Sequence, residues 1–136
     1  MTIELSLLLA TTVLLTLLWI PYVAGIVKSG GELTPDTYRT LQLPADMPHW
    51  AHRANRAHQN LVEQFGAFAA VILIAHVAGV STWITVTASA TYFIARLIHA
   101  VVMLGGYSIL KARTRSFFVA MLSILAIIVE IIRVSI

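Results

Sequence analysis

Apolar residues fall into four long runs along the chain, separated by three polar breaks. The first run, "LSLLLATTVLLTLLWIPYVAGIV" (5–27), has 23 consecutive uncharged residues. As a helix it is long enough to cross a hydrocarbon core of about 30 Å. It exceeds a signal-peptide core of roughly 7–15 residues, follows Glu4 rather than a positive charge, and therefore reads as a retained span. The pattern predicts spans over about 4–28, 48–79, 82–106 and 114–135. The apolar part of the second run is 57–79. Its helix is expected to begin earlier, near Asp46 as N-cap and Pro48 in the first turn, where a missing N–H costs nothing. The third span is entered through Ser81 and Thr82 after a break at Gly79. Only a few uncharged residues link spans two and three, which predicts an antiparallel hairpin. The first loop, about 29–47, reads "SGGELTPDTYRTLQLPADM". Its glycines, prolines and mixed charges make it a surface connection, either a lid or an inert loop. No internal repeat interrupts this plan, so the chain reads as a single membrane domain.

Composition agrees with the pattern. The chain has 136 residues, is 59% hydrophobic and only 11% charged, where soluble domains carry about 25% charged residues. Its lack of cysteine excludes disulfides, thiolate metal sites and a protein cysteine nucleophile. The net charge of +3 does not point to nucleic acid, because seven of the nine basic residues share one side of the bundle. Lys28, Arg39, Arg53 and Arg56 belong to the first loop and the helix entry after it; Lys111, Arg113 and Arg115 belong to the third loop. By the positive-inside rule both loops are cytoplasmic and both termini lie outside.

Candidate chemistry lies at membrane depth. Residues three, four and seven apart share a helix face, so Arg56, Asn60 and Glu63 form one stripe of span two, with Gln59 beside it. Arg96, His99 and Met103 repeat that spacing in span three, with Tyr92 a turn deeper. At about 1.5 Å per residue, Glu63 and His99 each lie roughly 10 Å in from the basic end. Arg115 and Ser116 join from the start of span four. Ionisable groups in a membrane face one another or a wet cavity. One reading is a Glu63–Arg96 pair that fixes helix register. The other is a pocket in which Arg56, Arg96 and Arg115 outnumber Glu63, suited to an anion with carboxylates or a thiolate. Elsewhere, His76 reads as a hydrogen-bonded helix contact and Glu130 with Arg133 as a local ion pair. His49, His52 and His58 have poor metal-ligand spacing. Trp19, Trp50 and Trp83 read as interface anchors. Gly66/Ala70 and Ala75/Gly79 have the small-xxx-small spacing that permits close helix contact.

These motifs carry a resemblance. "RAHQNLVE" opening the second span, "ARLIHAVVM" in the third and "RTRS" at the start of the fourth resemble the MAPEG family, the membrane-associated proteins in eicosanoid and glutathione metabolism, and within it the bacterial branch. The resemblance implies an all-α integral membrane protein, a homotrimer of four-helix bundles in the bacterial inner membrane with periplasmic termini. It implies glutathione at each subunit interface and a lipophilic substrate arriving from the lipid bilayer. Carried over by position, Arg56, Gln59, Asn60, Glu63, Arg96 and His99 hold glutathione. Arg115 stabilises its thiolate, with Ser116 as the neighbouring hydroxyl. The cysteine would come from glutathione, which suits a chain that has none. Two positions depart from the eicosanoid-synthesising members: Gln59 stands where they often carry arginine, and Met103 where they carry tyrosine. Tyr107 is a candidate substitute for the latter. The implied function is a glutathione transferase or peroxidase acting on lipophilic electrophiles or lipid hydroperoxides. A non-catalytic membrane scaffold of the same fold is the alternative that Gln59 and Met103 favour. A small transporter is a third reading, disfavoured because no pair of broken helices is evident.

Overall fold

The computed structural model describes residues 1–28, 35–40, 47–107 and 111–136. Its described elements are all helices: α1 (Ile3–Lys28), α2 (Pro35–Thr40), α3 (His49–Val77), α4 (Trp83–Gly105) and α5 (Ala112–Ser135). The four long ones, α1, α3, α4 and α5, are each long and apolar enough to cross a membrane. The chain is an all-helical integral membrane protein.

Local chemistry explains most of the boundaries. Pro48 does not sit inside the first turn of α3 but immediately before it, as the N-cap, with φ −59° and ψ 144°. Its carbonyl accepts from the amides of Ala51 (2.9 Å) and His52 (3.3 Å). Asp46, the other expected cap, lies outside the described residues. Within the expected loop, Pro35–Thr40 forms the short helix α2. At the α3–α4 turn, Gly79 takes φ +69°, and the Val80 amide reaches back to the Ala75 carbonyl (2.8 Å). Thr82 then caps α4: its hydroxyl accepts from the Thr85 amide and the Thr85 hydroxyl accepts from the Thr82 amide. Gly106, at φ +69°, ends α4, and Lys111, at φ 55°, opens α5.

The bundle packs in two buried layers. One joins α3, α4 and α5 through Phe68, Ile72, Tyr92, Ala95, Ile124 and Ile127, with the Phe68 and Tyr92 rings stacked 3.8 Å apart. The other joins α1, α3 and α4 through Leu18, Ala57, Leu61, Ala100 and Met103. Lipid is as apolar as leucine, so close packing and hydrogen bonds rather than hydrophobic burial hold membrane helices together. At the α1–α3 crossing, Gly25 leaves no room for a side chain, since a Cβ there would overlap that of Ala51. At the non-basic end, the Glu4 carboxylate of α1 accepts from the hydroxyls of Ser81 (2.9 Å) and Thr85 (2.7 Å). On α5, Glu130 and Arg133 form a bidentate pair with both bonds at 2.7 Å. Leu9, Val13, Leu122 and Val129 point outward, as lipid-facing residues should.

Candidate functional site

Arg96 organises the interface between α3 and α4. It is 1% exposed, and its guanidinium crosses to α3, donating from Nη1 to Gln64 Oε1 (3.2 Å) and from Nη2 to Asn60 Oδ1 (3.0 Å). The Glu63–Arg96 pair, one of the two readings of these residues, is not formed: among the described residues Arg96 makes no ion pair. The reason is angular. Asn60 and Gln64 are one turn apart and face α4, whereas Glu63 is rotated about 100° from Gln64 and is exposed. Two neutral side-chain oxygens solvate a buried cation that the helix spacing seemed to pair with a carboxylate.

In front of this clamp lies a small polar cleft of about 90 Å³, lined by Arg56, Gln59, Asn60, Glu63, His99, Met103 and Arg113. Five expected site residues (Arg56, Gln59, Asn60, Glu63 and His99) thus meet in one place, with Arg96 behind them. His99 and Met103 are buried on α4, while Arg56, Gln59 and Glu63 form an exposed rim on α3. Arg115 and Ser116 do not join them. They line a separate, mostly apolar groove of about 490 Å³ between α4 and α5, with Thr91, Ile94, Ala95, Ile98, Ala112 and Val119. The Ser116 hydroxyl is turned back onto the Arg113 carbonyl of its own helix (3.1 Å).

Two residues of the site escaped the sequence reading. Arg113 stands two positions before Arg115, about 200° round the helix, so of the two it is Arg113 that enters the polar cleft. Gln64 signals itself only as the residue one turn after Asn60. Arg53 adds a further tie, its Nε donating to the Met103 carbonyl (3.1 Å). His76, expected to bond a neighbouring helix, is instead exposed and lines a cavity at the opposite end.

Chemically, cationic side chains outnumber carboxylates in the cleft. Arg56 and Arg113 line it against the single carboxylate of Glu63, and the Arg96 charge stands behind. Arg96 Nε, Gln64 Nε2 and the Tyr92 hydroxyl are buried without hydrogen-bond partners, so spare donors accumulate on this side of α4. Among the described residues no cluster of three metal-ligating side chains exists.

A model of the MAPEG family matches residues 5–133. The chain belongs to that family. No individual curated protein matches it in direct sequence comparison. The MAPEG match spans all four membrane helices, so the polar cleft and the apolar groove both fall inside it. For a MAPEG chain, the separation of Arg115 from Asn60 and Glu63 bears directly on how a site would be assembled.

Proposed function

We propose that this MAPEG chain is a glutathione-dependent transferase or peroxidase acting on lipophilic electrophiles or lipid hydroperoxides, working as a homotrimer in a bacterial inner membrane. The observation that carries this reading is a polar cleft with surplus arginine, together with a separate, mostly apolar groove that carries Arg115. The donor set fits a tripeptide with two carboxylates and one amino group. Arg56 and Arg113 suit the carboxylates, because guanidinium stays charged and binds them bidentately. Glu63 suits the amino group. Asn60, fixed by Arg96, offers an amide to the peptide backbone, and His99 and Gln59 close the sides.

When bound, glutathione supplies the thiol. The role of this chain is to favour its ionised form, since a cation beside sulfur lowers the thiol pKa, and Arg115 is assigned that role with Ser116 beside it. A cleft of about 90 Å³ is small against the roughly 300 Å³ of ordinary small-molecule sites. A neighbouring copy that lays its Arg115 groove against this cleft would supply the missing volume. It would also bring the charge and the lipophilic substrate to one place.

The test is conjugation of a chlorinated nitrobenzene by the purified protein. Arg115→Ala is expected to lower kcat by about 10²-fold, the loss typical of one electrostatic stabiliser, and equal rates would remove the assignment. Met103, which lines the cleft without offering a proton to donate, favours the second reading of a scaffold without catalysis. Calorimetric titration separates the two, because saturable glutathione binding at millimolar concentration supports the enzyme and its absence supports the scaffold.

A further inference from the structure

A second cavity opens at the basic end of the bundle, where α4 ends and α5 begins. It has a volume of about 240 Å³ and lies between Arg53 of α3, Met103, Gly106 and Tyr107 at the end of α4, and Lys111 and Arg113 at the start of α5. Gly106, Tyr107, Lys111 and Arg113 are exposed and Arg53 is half-buried. Met103 and Arg113 also line the polar cleft, whereas Arg53 and Lys111 do not.

Two glycines shape the cavity. A Cβ on Gly106 would meet the Arg53 guanidinium within 3.0 Å, and one on Gly105 would overlap the Tyr107 ring. Arg53 Nε donates to the Met103 carbonyl (3.1 Å), which pins the guanidinium over Gly106. Its Nη1 and Nη2 are left without a partner among the described residues.

The charge balance is one-sided. Arg53, Lys111 and Arg113 line the cavity and no carboxylate does. Among the described residues none of the three is in an ion pair, and like charges gathered without a counter-ion repel. α5 adds to the imbalance, since its first turn holds Arg113 and Arg115 and no acidic residue. Cations at a helix N-terminus oppose its dipole.

We propose that this cavity binds a phosphate group, held by the free Nη1 and Nη2 of Arg53 and the Lys111 ammonium, with Arg113 as the third cation. Phosphate fits this set better than carboxylate does. It presents enough charged oxygens for a guanidinium fork and an ammonium at once, whereas one bidentate arginine occupies both oxygens of a carboxylate. The group has two natural sources. One is the headgroup of an anionic phospholipid, which basic pockets between membrane helices hold on the cytoplasmic side; the other is free phosphate. Arg53 and Lys111 have no part in the glutathione reading, so the proposal stands or falls independently of it.

The test exploits the two lysines of the chain, Lys28 and Lys111. Lys28 ends α1 and lies outside the cavity, which makes it an internal control for general surface attraction. Full-length protein in nanodiscs is acetylated with a succinimide ester, and both sites are followed by mass spectrometry. Replacing phosphatidylcholine with phosphatidylglycerol of identical chains should slow acetylation of Lys111 about fivefold relative to Lys28. Slowing by inorganic phosphate in a phosphatidylcholine disc, beyond that of sodium chloride at equal ionic strength, would assign the site to free phosphate. Arg53→Gln should remove the protection, and the wild-type comparison needs no variant to fold. No protection of Lys111 by either phosphatidylglycerol or phosphate would overturn the proposal. So would equal slowing of both lysines, equal slowing by sodium chloride, or protection that survives Arg53→Gln undiminished.

Discussion

Arg96 has the largest side chain among the fully buried residues, and among the described residues its guanidinium donates to Asn60 and Gln64. Replacing it with leucine would leave both amide oxygens without their donor and remove the strut that aims Asn60 at the cleft. Orphaning buried acceptors of a charged donor costs about 2–3 kcal/mol, so Arg96→Leu should lower the thermal midpoint in detergent, and Arg96→Lys should lower it less. A folded Arg96→Lys protein should also bind glutathione more weakly, because an ammonium is a point donor and lacks the planar fork that spans both amides. Titration alongside the melting curve separates the two effects. At this scale the sequence was legible to within one helical step. The i, i+3, i+4 pattern put Arg96 and His99 opposite span two, but it does not distinguish Glu63 from Gln64, which differ by 100° and by a charge. The paired reading named Glu63, whereas Gln64 is the neighbour that Arg96 bonds. Two such steps separate Arg113 from Arg115.

The crossing of α1 and α3 at Gly25 and Ala51 shows what an element-scale reading gains and misses. Hydropathy alone marks all four spans, because a membrane demands length and apolarity from each helix. It says little about which faces touch. Gly66, singled out by small-xxx-small spacing, has open space around it and lies on the exposed side of α3 with Ala67 and Ala70. Gly25, not among the pairs singled out, is the position where two backbones approach. Overpacking a tight contact costs about 1–3 kcal/mol. Gly25→Val is therefore expected to destabilise the chain by that amount in thermal unfolding, while Gly66→Ala should leave the stability of the single chain unchanged. Short polar breaks were equally hard to read in detail: Pro48 became a cap rather than a first-turn residue, and α2 formed in a stretch rich in turn formers.

For the molecule as a whole, charge asymmetry and an incomplete site make two demands on how it sits and assembles. Lys28, Lys111, Arg113 and Arg115 gather at one end, which the positive-inside rule assigns to the cytoplasm. Because the chain has no cysteine, single cysteines report topology cleanly. In the bacterial inner membrane proposed for it, Lys111→Cys should react with an impermeant maleimide only after the membrane is opened, and Ser135→Cys in intact spheroplasts. Assembly is the sharper issue. In one chain Glu63 and Arg115 line different cavities, so if both act on one glutathione, a neighbouring copy must supply one of them. A closed ring of three identical chains repeats such a head-to-tail contact three times. Glu63→Gln and Arg115→Ala would each inactivate every site of a uniform trimer. Co-expressed in equal amounts they mix, and an interface is intact when its Glu63 comes from the Arg115→Ala chain and its Arg115 from the Glu63→Gln chain. Random assembly makes that combination at about one interface in four. The co-expressed population should therefore regain about a quarter of wild-type conjugation, whereas a site built within one chain would regain none.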